Sequence, residues 1–172
     1  MGINELNDWK QIQNGWNNVD LANELLDLFD SSKIDLYGRD LENMDFLLPY
    51  KEKFDQIKIL DLAGNNLKEI PSWISEFINL ETLNLEWNMI RTLPVEIVNL
   101  KNLKTLKLAG NLVWVLPDEI WELNLDKLVV DELKPENENL RSKIPIIEEV
   151  MVDDCSPDNY ESWDFDDDDE LA

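Results

Sequence analysis

Apolar and polar positions between residues 57 and 124 recur with a fixed step of 23. Ile57, Leu60, Leu62, Asn65, Leu67, Ile70, Pro71, Ile74 and Phe77 return as Leu80, Leu83, Leu85, Asn88, Ile90, Leu93, Pro94, Ile97 and Leu100. They return again as Leu103, Leu106, Leu108, Asn111, Val113, Leu116, Pro117, Ile120 and Leu123. Leucines two apart, such as Leu60 with Leu62, share one face of a short strand. The asparagine follows where the chain leaves that strand, and a buried carboxamide there can bond backbone groups of its own and the neighbouring turn. The Leu-Pro or Ile-Pro pair stops extended structure. Apolar residues at spacing three then give one greasy side to a returning helical turn. No single unit buries that wedge alone, so the units must stack and the ends of the stack need caps.

The pattern L-x-x-L-x-L-x-x-N-x-L followed by x-x-L-P-x-x-I-x-x-L resembles the leucine-rich repeat family, in its intracellular type. The resemblance implies an α/β solenoid, a right-handed horseshoe. A short parallel sheet of about five strands would line its concave side, with helical or 3-10 turns on the convex side and a helical N-terminal cap.

Residues 1–30 carry the cap: Ile3, Leu6 and Trp9, then Leu21, Leu25, Leu28 and Phe29 keep a helical rhythm around a break at Asn14-Gly15. The repeats occupy 31–133. The first is degenerate: Ile34, Leu36 and Leu41 keep the strand spacing, but Arg39 stands where asparagine belongs. Its step to the next repeat is longer, so Glu42–Gln56 is expected to be a real helix. Leu125, Leu128 and Val130 give a fifth strand, Leu133 replaces the ladder asparagine, and Pro135 ends the array. Residues 134–152, with Leu140, Ile144, Ile146, Ile147, Val150 and Met151, read as a C-terminal cap, a short helix or strand over the last apolar edge. Residues 153–172 form an acidic tail with ten acids and no base.

Charge changes the picture most. Fifteen Lys and Arg against 38 Asp and Glu leave a net charge of −23 in 172 residues. That field repels nucleic acid and anionic lipid and attracts basic proteins. Cys155 is the lone cysteine, so no internal disulfide forms, and the stapled caps of extracellular relatives are missing. The N-terminus shows neither a signal peptide nor a myristoylation pattern, and no apolar run is long enough to span a membrane. A cytoplasmic protein, monomeric on its own, is the expectation, with Met1 its natural start.

Catalytic machinery is missing in specific ways. There is no histidine, which removes the commonest general base and metal ligand. No phosphate-cradling glycine loop, nucleophile elbow or paired cysteines appear. The Asp-rich tail lacks the spacing of a calcium loop. Neither enzyme activity, cofactor nor metal is expected.

The candidate site is the face of the sheet. Residues flanking the strand leucines point away from the core: Lys33, Asp35 and Tyr37, then Ile59, Asp61 and Ala63, then Thr82, Asn84 and Glu86. Thr105, Lys107 and Ala109 follow, and Lys127, Val129 and Asp131 come last. Of these, Tyr37, Asp61, Asn84, Glu86, Lys107 and Asp131 are the expected partner-binding positions. The residue before the ladder asparagine is Gly38, Gly64, Trp87 and Gly110 in turn. Trp87 either stands proud beside Glu86 as a binding hot spot or folds down over both glycines as filler. Trp114 and Trp121 either extend a contact flank or pack against the caps. In the tail, Tyr160, Trp163 and Phe165 alternate with acids, which suits anchoring in a basic, partly apolar cleft.

These features point to a non-catalytic module that recognises a basic protein, as inhibitors and immunity proteins neutralising toxins or nucleases do. A chaperone of histone-like or other basic proteins is the alternative, since acidic leucine-rich nuclear proteins share the order of repeats then acid. Those proteins have longer tails and lack the Leu-Pro step. An adaptor or scaffold subunit is a third reading.

Overall fold

A computed structural model describes Phe29, residues 31–113, 116–131, Ser142 and residues 144–149. Apart from Phe29, the helical cap expected over 1–30 lies outside these residues, as do the acidic tail and most of 134–152.

Each repeat contributes one short strand, and the strands pair in chain order into a six-stranded parallel sheet. The strands are β1 (Lys33–Asp35), β2 (Ile59–Asp61), β3 (Thr82–Asn84), β4 (Thr105–Lys107), β5 (Lys127–Val130) and β6 (Ile146–Glu149). Register follows the sequence repeat: Ile34 faces Leu60, Leu60 faces Leu83, Leu83 faces Leu106 and Leu106 faces Leu128. The shared column is fully buried, because a strand sends alternate side chains to opposite faces. The sheet therefore has six strands, one more than expected. Ile147 lies opposite Leu128, but the segment after Pro135 has no 23-residue echo, which hides β6 from the periodicity.

Proline sets where each return begins. Pro71, Pro94 and Pro117 cap five-residue 3-10 helices at Ser72–Glu76, Val95–Asn99 and Asp118–Glu122. A proline there has no N–H to lose and its fixed φ suits the turn. The longer first return, Asp45–Gln56, is also 3-10, and is broken at Tyr50 next to Pro49. It is helical as expected, but not one regular helix. Its inner side chain Phe54 stacks on Phe77 with ring centroids 4.0 Å apart, while Phe29 lies 6.2 Å from Phe54 on the other side. Aromatic mass thus fills the wide N-terminal end of the core, and Leu100 and Leu123 take over beyond it.

The asparagines do what their burial demands. Asn88 Nδ2 donates to the carbonyls of Leu62 and Leu85 at 2.9 and 3.1 Å, and its Oδ1 accepts the Leu67 N–H at 3.0 Å. Asn65 and Asn111 repeat the arrangement one turn either side. The Arg39 N–H, at the degenerate position, donates to Asn65 Oδ1. A second, exposed asparagine series runs along the outer turn: Asn79 donates to the Asp55 carbonyl at 2.7 Å and Asn102 to that of Ile78 at 2.8 Å. Their 23-residue step was visible in the sequence, but exposed polar positions before a leucine do not announce a bonding role.

Candidate protein-binding face

Three columns of side chains run across the open face of the sheet, set by the strand register. The second column begins Asp35, Asp61, Asn84 and Lys107. The first three of these share a local task. Each side-chain oxygen accepts the backbone N–H two residues on, from Tyr37, Ala63 and Glu86, at 3.3, 3.1 and 3.2 Å. These Asx turns bend the chain out of the strand. Asp61 and Asn84 are therefore part of the scaffold as well as the face, and Asp61 has a carboxylate oxygen to spare.

The lysines of the face are spoken for. Lys33 Nζ meets Asp35 at 2.7 Å, Lys107 Nζ meets Glu86 Oε2 at 3.2 Å, and Lys127 pairs with Glu148. Hydrogen bonding to Lys33 holds the Asp35 carboxyl below its usual range, and the same contact raises Lys33. The Lys127 hydrogen bond likewise lowers Glu148. Glu86 and Lys107, both expected to touch a partner, thus touch each other across neighbouring strands. Asp61 makes no ion pair among the described residues, although its charge contributes to raising Lys33.

Beside these columns runs a row of left-handed backbone: Gly38, Gly64, Trp87 and Gly110 have φ of 64°, 68°, 57° and 73°. Trp87 alone carries a side chain there, and a bulky residue in this region is strained. Its indole lies down on the next turn. A Cβ built on Gly110 would sit 2.6 Å from Trp87 Cε3, so only glycine leaves room for the ring. Trp87 nevertheless remains 52% exposed. The outcome is intermediate between the two expectations: the ring is seated on one glycine, not both, and its other side is open. Gly64 carries Tyr37 instead, whose Cε2 lies 3.4 Å from the corresponding Cβ position. Tyr37 is 64% exposed. Two aromatic rings are thus laid on two glycines along one rim.

The register of the strands and the asparagine series find their counterpart in a family model described as leucine rich repeat, which matches residues 55–113. Residues 55–113 are leucine-rich repeats. A leucine-rich repeat protein of Leptospira interrogans is 26% identical over 68% of this chain and 36% of its own, with a TM-score of 0.49. The functional domain of InlJ from Listeria monocytogenes, which includes a cysteine ladder, is 16% identical over 77% of this chain and 31% of its own, with a TM-score of 0.44. The chain spans about a third of the length of these two structures. No curated protein matches it significantly. Leucine-rich repeat arrays serve in general as protein-binding, non-catalytic modules.

Within that frame the remaining expected residues fall as follows. Asp131 is half-buried beyond β5, with its Oδ1 accepting the Gly110 N–H at 2.6 Å. Trp121 is exposed on the last described 3-10 helix, far along the chain from the rim rings. Trp114, Tyr160, Trp163 and Phe165 lie outside the described residues. Among the described residues no group of three His, Cys, Asp or Glu side chains is placed to hold a metal ion, and no helix is long and apolar enough to cross a membrane. In the sequence Tyr37 stands out as a strand-flanking, partner-binding position and not as a ring seated on a glycine. The signal for its seating was Gly64, one repeat on.

Proposed function

We propose that this protein binds a basic protein partner on the open face of its sheet and acts by occupying that partner, in the manner of an inhibitor or immunity protein. One observation carries the reading: Trp87 is held half-exposed, in a backbone conformation its sister repeats give to glycine, at the edge of a face whose lysines are already paired with acids. Strain retained at an exposed aromatic stabilises nothing evident in the free chain and is the kind of feature that functional surfaces keep. The chain's net charge of −23 draws positive partners from a distance and repels nucleic acid. The Asp-rich tail adds to that pull, and Tyr160, Trp163 and Phe165 supply it with anchors.

Affinity capture with the full chain tests this, run beside a Glu86→Lys, Asp61→Lys double variant as bait. One stoichiometric basic protein, retained by the wild type at low salt and lost by the variant, is the expected result. Equal retention by both baits would remove the face from the reading. Capture of many basic proteins in similar amounts would replace it with the chaperone role.

A further inference from the structure

The two rings laid on the rim carry polar ends that the repeats do not use. Both rings are exposed, and among the described residues neither the Tyr37 hydroxyl nor the Trp87 indole N–H meets an acceptor. Their seats are equivalent positions of the repeat. Tyr37 rests at Gly64 and Trp87 at Gly110, and both glycines hold the same left-handed backbone. One turn lies between these seats, since the Gly64 N–H donates to the Glu86 carbonyl and the Trp87 N–H to that of Ala109. That turn is Trp87's own, so the seats are two strand spacings apart, about 9–10 Å. A partner need not enter between the rings; it has only to lie across both.

We infer that the Tyr37 and Trp87 rings are two footings for one proline-rich segment of the basic partner, held in the polyproline II conformation and running along the rim from turn to turn. The inference rests on the protein-binding reading above and names the form in which the partner presents itself. Spacing narrows the choice first. A polyproline II segment returns to the same side every three residues after an advance of about 9 Å, which matches the separation of the seats. An extended strand advances about 10 Å in three residues but turns that residue to the opposite face. An α-helix needs seven residues and about 10.5 Å to bring a side chain back over the same line, a small mismatch. Hydrogen bonding decides against the helix. Polyproline II carbonyls have no internal partners and can accept from the Tyr37 hydroxyl and the Trp87 Nε1–H. The carbonyls of a helix are already engaged along its length. Proline rings also pack on exposed aromatic rings, and the preformed conformation loses little entropy on binding. The chain's net charge of −23 favours segments with arginine or lysine among the prolines.

Two variants remove one footing each without endangering the fold. Trp87→Gly supplies the residue that the other turns carry at this positive φ. Tyr37→Ala removes an exposed ring that rests on a glycine. The full chain, labelled with fluorotryptophan, is titrated with a short oligoproline peptide. A glycine–serine peptide and a helical alanine–glutamine peptide of equal length are titrated separately, all three with blocked ends. The Trp87 fluorine resonance is identified by its loss in Trp87→Gly. We expect it to move with oligoproline, at a half-saturating concentration at least about fivefold below that of either other peptide. In Tyr37→Ala, which leaves Trp87 in place, that concentration should rise by about fivefold or more. An unmoved Trp87 resonance, equal or tighter binding of either other peptide, or an oligoproline titration untouched by Tyr37→Ala overturns the inference. All three peptides are uncharged, so these results are independent of the capture experiment, where the Glu86 and Asp61 charge reversals judge the basic-partner reading.

Discussion

Asp131 Oδ1 accepts the Gly110 N–H at 2.6 Å, at the place where a backbone carbonyl serves every earlier rung. Gly38, Gly64 and Trp87 donate to the carbonyls of Ala63, Glu86 and Ala109, each at 2.9 Å. At the C-terminal end of this row a side chain has taken over a backbone task. Asp131→Ala is expected to lower stability by about 1–2 kcal/mol, since it leaves a part-buried donor without its acceptor. Asp131→Asn retains an oxygen and should cost less than half as much. Urea denaturation of both variants separates the outcomes, and equal losses would assign the effect to charge.

The asparagine series predicts a larger loss. Asn88 is 4% exposed, and Asn88→Ala would leave the Leu67 N–H without its acceptor and remove one of two asparagine donors from each of the Leu62 and Leu85 carbonyls, which keep Asn65 and Asn111. With the unsatisfied donor costing about 1–3 kcal/mol and each lost carbonyl bond about 0.5–1 kcal/mol, a drop of about 2–4 kcal/mol is expected in a denaturant melt. Asn102→Ala, on the exposed outer series, should cost under about 1 kcal/mol because water replaces the protein partners.

Gly110 and Trp87 should be energetically coupled. Gly110→Ala meets two obstacles: a positive φ, which costs about 1–2 kcal/mol for a non-glycine residue, and the indole lying where the methyl would go. In a Trp87→Gly background the ring is gone, and only the positive φ and the 3.2 Å approach of the residue-87 Cα remain. A double-mutant cycle is expected to give a coupling energy of about 1 kcal/mol or more, and additivity would show that the ring moves aside freely.

The Lys33–Asp35 contact makes a small and signed prediction for pH. The Asp35 pKa is lowered by its hydrogen bond to Lys33, so its contribution is present above the unfolded value and is lost as pH falls through the folded one. Lys33 is raised above 10.5, so its share holds below that value and fades as pH rises through the raised one. Both side chains are about half exposed, which keeps the total under about 1 kcal/mol and sensitive to salt. Wild type and Lys33→Met should differ most between about pH 5 and pH 9 and converge in acid, as measured by urea midpoints at low ionic strength.

Most of the fold could be read from the sequence, because one strict period of leucine, asparagine and proline carries strand, turn and return together. Register followed at once, since Leu60, Leu83 and Leu106 must share a column. β6 was not legible: Ile144, Ile146 and Ile147 repeat nothing upstream and could serve a helix equally well. The face was legible as a set of positions but not as a set of pairings. Whether Lys107 reaches Glu86, or Asp61 serves a turn, depends on distances of a few ångströms that spacing does not fix. The seating of Tyr37 and Trp87 fell between these cases. Glycines one repeat later marked where a ring had room to lie, yet nothing in the one-dimensional pattern said which way it would lean.

The Asn65, Asn88 and Asn111 side chains all reach toward the preceding repeat. Cohesion in this stack is consequently directional, like overlapping roof tiles: each turn is pinned by its successor. The asparagine series ends at Asn111, because the next rung in the sequence is Leu133, whose side chain can neither accept nor donate. Amide protons around Leu67 and Ile90 should therefore exchange more slowly than that of Val113, and loosening of the array should begin at the turn where the tiling stops and travel back toward Phe54.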